Sequence, residues 1–230
     1  MYNYLANNFA EVESEISTAC ELSGRSRDSV RLIAVTKTYP AELLQAVLNL
    51  GQLDLGENRP QEILEKAPLL TGSPQFHLIG QLQSNKVRKV IPLVEWIHSV
   101  DRDSLLDKIE SVAQELHKPV KILIQVNTSG EDSKSGCTPF EAVELCKRAA
   151  EKQFAQFCGL MTIGPVEGGE DANRKSFALL REIGDQVKHL VKGERLELSM
   201  GMSGDFAQAI SEGSTMIRVG SKIVGARSYT

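Results

Sequence analysis

The sequence predicts an α/β protein that folds as a single (β/α)8 barrel over residues 1–230, with an extra helix at the N-terminus. Three observations predict this fold class. From Arg31 onward, eight short runs rich in Val, Ile and Leu follow one another, segments with helical periodicity fill the gaps, and no Gly/Ser-rich linker interrupts the chain. Eight units in which a strand alternates with a helix favour a closed parallel barrel.

The main alternative is an open, doubly wound parallel sheet. That fold calls for a Gly-rich turn after the first strand, whereas the first turn here reads TKTYP. The sequence therefore favours the barrel. In chain order, the predicted strands cover 31–36, 53–55, 76–79, 95–100, 120–126, 157–163, 195–200 and 215–219.

Helical periodicity marks the opening segment and three segments between strands. In the opening segment, apolar side chains recur at steps of four and three, which places them on one face of a helix that should pack against the barrel. This apolar face consists of Leu5, Phe9, Val12, Ile16 and Ala19. The clearest helices between strands cover 41–50, 103–117 and 140–153, and Pro40 and Pro139 stand where a helix start tolerates proline.

The composition excludes several classes of function. Hydrophobic residues make up 41% of the chain, charged residues 24%, and 26 basic against 30 acidic side chains give a net charge of -4. A protein that coats nucleic acid usually has a basic balance, so we expect no nucleic-acid partner. No apolar run approaches the roughly 18 residues of a membrane span, and the first residues lack the basic and apolar regions of a leader.

The cysteines indicate a reducing compartment. Cys20, Cys137, Cys146 and Cys158 form no C-x-x-C pair, and three of them lie at or inside apolar segments, where a free thiol is usually core filler. We therefore expect a cytoplasmic protein without disulfides. We also expect a monomer, because no large apolar stripe stands out beyond the opening helix.

The strongest candidate for chemistry is Lys37, which follows the first predicted strand. In a barrel of this class, functional groups come from the carboxyl ends of the strands. Withdrawal from water lowers the pKa of a lysine, and a neutral amine can condense with a carbonyl group to form a Schiff base. The alternative is an ordinary solvated lysine at a strand end, and Lys37 alone does not decide between them.

Two small, glycine-bearing turns follow the last two predicted strands, where barrels of this class commonly bind phosphate. The segments are SMGMSGD (199–205) and RVGSKI (218–223). Their glycines let backbone amides approach an anion closely, while Ser203 and Ser221 offer hydroxyl groups. The sequence therefore predicts a phosphate site, although small residues can also simply end strands.

Arg218 lies inside the final apolar strand, where a guanidinium group keeps its charge and needs an acceptor. A ligand could supply that acceptor, and so could a carboxylate such as Glu57 or Asp101. His77 is more often a satisfied core histidine than a catalyst. Because the four histidines of the chain are not clustered, we expect no metal site.

Taken together, seven segments resemble one known family, the pyridoxal phosphate homeostasis proteins. The resemblance runs from about Arg31 to Arg227, and each segment alone is a weak signal, whereas the ordered set is specific. The segments are AVTK (34–37), GENRPQE (56–62), HLIGQLQSNK (77–86), HSVDR (98–102), GLMTIGP (159–165), SMGMSGD (199–205) and STMIRVGSKIVGAR (214–227).

The resemblance implies a barrel like the N-terminal domain of bacterial alanine racemase, with pyridoxal 5'-phosphate (PLP) held as an aldimine on Lys37. It also implies that Arg218 faces the pyridine nitrogen, which would stay unprotonated and make the ring a weaker electron sink. The remaining cofactor-binding residues implied by the resemblance are Ser203, Gly220 and Ser221 at the phosphate, and Asn58, His77 and Met200 along the cavity wall.

The resemblance further implies a non-enzymatic protein of PLP (vitamin B6) homeostasis, and we assign no catalytic residue. The alternative is a slow PLP-dependent amino-acid racemase. A racemase of this fold needs a second acid/base group, a tyrosine from an additional domain, and we expect no such domain because the chain ends at Thr230 with Tyr229 on a probable tail. The sequence leaves open whether PLP-dependent apo-enzymes receive the cofactor from this protein. It also leaves open a role as a regulatory partner, and no feature of the sequence identifies what that partner would bind.

Overall fold

A computed structural model describes residues 2–193 and 195–225, and within them eight parallel strands close into a barrel in chain order. The predicted (β/α)8 barrel is confirmed. Tyr229 lies outside the described residues. The strands are β1 Arg31–Val35, β2 Asp54–Glu57, β3 Gln75–Leu78, β4 Val94–Val100, β5 Val120–Gln125, β6 Ala155–Met161, β7 Glu197–Met202 and β8 Met216–Val219.

Each predicted strand coincides with an observed one, and the largest differences concern β6 and β7. Strand β6 begins at Ala155, because the Glu110 carboxylate accepts hydrogen bonds from the amides of Phe154 and Ala155 and fixes that strand end. Strand β7 continues to Met202. The glycine-bearing turn predicted from residue 199 therefore begins inside the strand, and only its second half is a turn.

The helices of the described residues lie outside the strands, and the predicted opening helix is confirmed. Its buried face packs on the last two helices, where Asn8 Nδ2 donates to the Ile223 carbonyl oxygen at 2.8 Å. The helices are α1 Tyr4–Leu22, α2 Ala41–Asn49, α3 Pro60–Lys66, α4 Val87–Val90, α5 Asp103–Glu115, α6 Pro139–Ala150, α7 Gly169–Val187, α8 Phe206–Ser211 and α9 Ser221–Val224.

The apolar side chains form two groups, because successive residues of a strand point to opposite faces of the sheet. The larger group fills the space between the strands and the helices. A smaller group packs inside the barrel and makes it a filled core rather than a channel. The members of the inner group are Ile33, Trp96, Leu123, Met161 and Met216.

The barrel closes where β1 pairs with β8. Ala34 lies beside Val219 in this ladder, and the Arg31 amide donates to the Thr215 carbonyl oxygen at 2.8 Å. This pairing brings the carboxyl ends of the first and last strands together, so that Lys37 and Gly220 belong to the same end of the barrel. The structure thus places the two most promising segments of the sequence side by side.

We predict that Gly159→Ala destabilises the barrel strongly. The register of β5 and β6 shifts at Cys158, and an ideal Cβ on the following Gly159 would lie 1.9 Å from the Glu197 carbonyl oxygen. Because backbone blocks this methyl group, the free energy of unfolding should fall by at least about 2 kcal/mol. Urea denaturation measures the change. In the control Gly193→Ala, the nearest atom to the new Cβ is the Arg195 carbonyl oxygen at 3.9 Å, an ordinary contact, so this variant should cost far less, and equal losses would contradict the packing argument.

Candidate functional site

A cavity of about 620 Å³ opens at the carboxyl end of the barrel, a volume suited to a small ligand. Residues from the ends of several strands line it, as the barrel geometry requires. Six of the eight residues predicted from the sequence lie on its wall, namely Lys37, Asn58, Ser203, Arg218, Gly220 and Ser221. The structure therefore brings the predicted amine, the predicted cation and both small turns to one cavity.

Lys37 owes its position to the alternation of side chains along the first strand. Val35 and Lys37 line the cavity, whereas Thr36 between them points outward and donates to the Glu57 carboxylate. Lys37 is half-buried. The residue that follows, Thr38, adopts a left-handed backbone with φ 70°, so that the chain turns away from the cavity immediately after the lysine.

The two glycine-bearing turns contact each other at the cavity wall. The Gly220 amide donates to Ser203 Oγ at 3.2 Å, which joins the turn after β7 to the turn after β8. An ideal Cβ on Gly220 would lie 3.3 Å from the Val35 carbonyl oxygen, so glycine lets this turn pass close to β1. Backbone amides and hydroxyl groups from both turns thus lie next to the cavity and can serve as donors to an anion.

Asp205 shapes the first of these turns, a role that the sequence did not reveal. Its carboxylate accepts a hydrogen bond from the Met202 amide at 2.5 Å, and the side chain is buried. Burial raises the pKa of Asp205, while the Met202 amide and the charge of Arg218 act against that rise. Gly201, which directly precedes Met202, has φ 95°, and a Cβ on Gly201 would lie 2.6 Å from the Ala209 side chain. Helix α8 can therefore pack directly on the strand end.

Arg218 is buried at the cavity wall and is held by neutral acceptors. Its Nη1 donates to Ser199 Oγ at 2.6 Å and its Nη2 to the Thr162 carbonyl oxygen at 2.8 Å. Burial lowers the pKa of Arg218 to about 10, although the charge of Asp205 acts in the opposite direction. The guanidinium therefore keeps its charge at neutral pH, and this charge faces the cavity.

The suggestion that Glu57 or Asp101 pairs with Arg218 is wrong. Glu57 points outward from β2 and pairs with Lys66 on α3 at 2.9 Å, whereas Asp101 pairs with Arg102 at 2.6 Å. In the part of the chain that the structure describes, no carboxylate forms an ion pair with Arg218. The N–H donors of Arg218 that Ser199 and Thr162 do not use are thus left for a ligand.

Met200 and His77 do not line the cavity, contrary to what the resemblance implies. Strand alternation explains Met200, because Ser199 points inward to Arg218 and its neighbour must point outward, where it packs among apolar side chains under the helices. His77 faces the interior, but it lies two residues before Ile79, which does line the cavity. It is therefore one layer deeper in the barrel, where it is fully buried.

His77 belongs to a chain of hydrogen bonds that runs from the cavity through the barrel interior. The chain links Arg218, Ser199, His98, His77 and Asp54, with successive distances of 2.6, 3.0, 2.9 and 2.9 Å. Arginine can only donate and an ionised carboxylate can only accept, so the two ends fix one direction for the whole chain. Each histidine therefore donates from Nε2 and accepts at Nδ1, and both are neutral.

The electrostatics of this chain agree with neutral histidines. Burial lowers the pKa of His77 and, more strongly, that of His98, whose pKa is lowered further by the neighbouring His77 and Arg218. Burial alone would raise the pKa of Asp54, but the hydrogen bond from His77, together with the charge and the hydrogen bond of Arg31, lowers it overall. The interior therefore holds a polar chain in which every link has a donor and an acceptor.

Sequence reasoning missed several residues of the cavity wall. Gly80 and Ile163 follow strands β3 and β6, and Gln125 ends β5, so the rule that functional groups lie at strand ends could have found them. Lys134 also lies on the wall, where its ammonium donates to the Gly164 carbonyl oxygen and pairs with Glu131 at 3.2 Å. The strand-end rule does not single it out, because it lies nine residues after the end of β5, in a loop that also brings Ser133 and Ser135 to the wall.

Neither a metal centre nor a membrane span emerges from the described coordinates. Within residues 2–193 and 195–225, no three His, Cys, Asp or Glu side chains are grouped closely enough to share a metal ion. Across the same ranges, no helix combines the length and the apolar character needed to cross a bilayer.

The barrel and its cavity define a class of protein. Residues 11–228 match the family described as "Alanine racemase, N-terminal domain". The fold is also that of an alanine racemase from Streptomyces lavendulae, which is 17% identical with a TM-score of 0.75 over 94% of this chain and 56% of that one. At this level of identity the likeness shows the fold alone.

Much closer relatives identify the family within this class. A "Pyridoxal phosphate homeostasis protein" of Aquifex aeolicus is 39% identical over 96% of this chain and 97% of its own length, and one of Schizosaccharomyces pombe is 38% identical over 86% and 85%. PipY of Synechococcus elongatus, solved with PLP bound, is 33% identical with a TM-score of 0.79 over 91% of this chain and 100% of that one. The chain belongs to the pyridoxal phosphate homeostasis protein family, as the seven sequence segments predict.

We predict that replacing His98 changes how stability depends on pH. In the unfolded chain His98 takes up a proton near its ordinary pKa of 6.5, whereas burial keeps it neutral in the fold. Because only the unfolded chain takes up this proton, the free energy of unfolding falls as the pH drops below about 6.5. The slope due to His98 is at most about 1.4 kcal/mol per pH unit. His98→Gln should remove this contribution, which urea titrations between about pH 5 and 6.5 would measure. Equal slopes in both proteins would contradict a neutral His98.

Proposed function

We propose that this chain binds PLP covalently through Lys37 and serves PLP homeostasis as a carrier or buffer without robust catalytic activity. The observation that carries the proposal is the meeting of three features at one cavity: a half-buried amine, a buried guanidinium and two turns rich in amide and hydroxyl donors. The names of the curated relatives and the PLP-bound PipY structure support the same ligand.

The residues of the cavity fit the groups that PLP carries. Its phosphate is a dianion that suits Ser203, Ser221 and the amide of Gly220, and the cavity volume of about 620 Å³ suits a ligand of its size. Its ring nitrogen can accept a hydrogen bond when unprotonated, which matches Arg218, a side chain that can only donate. Asn58 is the further polar group of the wall that we assign to the ligand.

When bound, PLP supplies an aldehyde that condenses with a primary amine and releases water. Lys37 is the group that offers this amine, and it lies half-buried at the cavity wall. Arg218 holds positive charge at the other side of the cavity and disfavours a proton on the ring nitrogen. These two residues therefore favour holding the cofactor over activating it as an electron sink.

The absence of a suitable second base supports a carrier rather than an enzyme. Racemisation needs two acid/base groups that act on opposite faces of the substrate. Besides Lys37 and Arg218, the ionisable side chains among the described lining residues are Tyr39 and Lys134. The Tyr39 hydroxyl donates to the Gly225 carbonyl oxygen at 3.0 Å, and Lys134 is bound to Gly164 and Glu131. Both are engaged in holding loops.

We further propose a cytoplasmic monomer that can deliver PLP to PLP-dependent apo-enzymes. Four free thiols, three of them buried, suit a reducing compartment. The exposed apolar side chains sit on separate elements rather than in one patch, which supports a monomer. The most exposed of them are Leu22, Leu69, Phe140 and Val166.

We predict that the protein purified with PLP is yellow and that borohydride fixes the cofactor on Lys37. Lys37→Ala should be colourless, because the amine that forms the covalent bond is gone, whereas the exposed Lys108→Ala should keep the full visible absorbance. Absorbance spectra and mass mapping of the reduced peptide check both statements.

A cofactor fixed on Lys134, the other lysine of the cavity wall, would contradict the assignment. So would a Lys37→Ala protein that keeps the visible band. Lys134→Ala provides the matched comparison, because it removes an amine from the same cavity while leaving Lys37 in place.

We predict no exchange of the α-proton of amino acids that depends on Lys37. The racemase alternative draws on the fold shared with alanine racemase, and it requires such exchange even if turnover is slow. Incubation of a broad panel of amino acids in deuterated water, followed by mass spectrometry, measures exchange directly. Exchange that disappears in Lys37→Ala would establish an enzyme and displace the carrier.

A further inference from the structure

We propose that a cluster of the buried Glu57 and Lys66 with the half-buried Glu62, outside the barrel wall, positions Lys37 for the ligand by holding the backbone on both sides of it. The inference rests on the proposed function, since it takes Lys37 to be the amine that binds PLP. None of the three cluster residues lines the cavity. They act through the β1–α2 turn and are therefore positioning residues.

Three hydrogen bonds connect the cluster to the residues that flank Lys37. The Thr36 hydroxyl donates to Glu57 Oε1 at 2.8 Å, and Lys66 Nζ donates to the Thr36 carbonyl oxygen at 3.2 Å. On the other side, the Thr38 amide donates to Glu62 Oε2 at 2.6 Å. Both neighbours of the lysine are thus tied to the same group of charges, while the lysine itself points the opposite way, into the cavity.

The ammonium group of Lys66 holds the cluster together. Besides the Thr36 carbonyl oxygen, it contacts Glu57 Oε1 at 2.9 Å and Glu62 Oε2 at 2.7 Å, which satisfies its three donors. Lys66 is 8% exposed and Glu57 0% exposed. Removing one partner from such a buried group leaves an uncompensated charge, so the arrangement of the other members depends strongly on each one.

The backbone of Thr38 supplies an independent reason for such a clamp. Its φ of 70° lies in the left-handed region, which is unfavourable for a β-branched residue. Strained conformations of this kind persist only where the surroundings hold them. The hydrogen bond from the Thr38 amide to Glu62 holds this conformation together with the bond from the Tyr39 amide to the Thr36 carbonyl oxygen at 3.2 Å, and losing the bond to Glu62 lets the turn relax and carry Lys37 with it.

The cluster contains two carboxyl groups for one ammonium group, so one carboxyl can hold a proton. Burial raises the pKa of Glu57 to about 7, against the lowering effects of Lys66 and Thr36, and its Oε2 atom has no hydrogen-bond partner among the residues that the structure describes. The pKa of Glu62 is lowered overall by Lys66 and the Thr38 amide, although burial alone would raise it. Glu57→Gln is accordingly the conservative variant, whereas Glu62→Ala removes the clamp on Thr38.

The first arm of the test needs no cofactor. Limited acetylation followed by mass spectrometry gives the reactivity of the Lys37 amine relative to the exposed Lys108 in the same molecule. Glu62→Ala and Lys66→Met should each change this ratio at least threefold. Glu62→Gln keeps an oxygen that can accept from the Thr38 amide, so it should stay closer to the wild-type ratio than Glu62→Ala does.

The second arm measures the dissociation constant for PLP from its visible absorbance. Loss of a hydrogen bond to a charged group should weaken binding about tenfold in Glu62→Ala. Glu57→Gln should weaken it less, because the amide oxygen can still accept from Thr36 and Lys66. Thermal denaturation of each variant shows that it is folded, and Lys66→Met supplies the test if Glu62→Ala does not fold.

Glu110→Ala is the matched control for a merely structural role. Glu110 is also a carboxylate that accepts from backbone amides, at 2.9 Å from Phe154 and 2.7 Å from Ala155, but at the opposite end of the barrel. It should lower the melting temperature without changing the reactivity of Lys37 or the affinity for PLP. A change in either as large as that of Glu62→Ala would overturn the inference.

The two proposals fail in different ways. If wild-type protein does not bind PLP on Lys37, the proposed function fails, while the acetylation arm still reports whether the cluster positions the lysine. If wild type binds PLP on Lys37 but the folded Glu62→Ala and Lys66→Met variants stay within twofold of it in both arms, the proposed function stands and the positioning role is overturned.

Discussion

The pairing of β1 with β8 is the constraint on which the site depends. It closes the barrel and places Ala34 beside Val219, so that the segment carrying Lys37 and the turn at Gly220 emerge at the same end. The contact of Gly220 with Ser203 then joins the turn after β7 to this arrangement. An amine from the start of the chain and amides from its end thus face one cavity because the strands are in register, without any local motif that combines them.

Polar groups support the cavity from two directions. Inside the barrel, Arg218 begins a directed chain of hydrogen bonds that ends at Asp54, and it keeps its charge although it forms no ion pair in the described ranges. Outside the barrel wall, Glu57 and its partners hold the backbone around Lys37. Buried polar groups cost free energy unless they are satisfied, so their presence beside the cavity is best explained by what they hold in place.

The sequence predicted the order of the strands because apolar runs alternate regularly with helical segments, and it placed Lys37 because a polar residue directly after a buried strand belongs at the barrel mouth. It could not place Met200 or His77 correctly. Along a strand, a shift of one residue moves a side chain from the interior of the barrel to its outer face, and a shift of two residues moves it to another layer of the interior. It also missed the partners of Arg218, because Ser199 on β7 and Thr162 after β6 approach Arg218 only when β6, β7 and β8 are paired side by side. The left-handed backbone conformation of Thr38 could not be predicted either, because the residue type gives no indication of it.

A crystal structure of the protein grown with PLP tests the central claim most directly, which is that one ligand is held from both sides of this cavity. The account predicts continuous density from the Lys37 side chain to the ligand, with the phosphate at Ser203, Gly220 and Ser221 and the ring nitrogen facing Arg218. A Lys37 side chain directed away from the cavity, together with turns that contact no phosphate, would contradict the account.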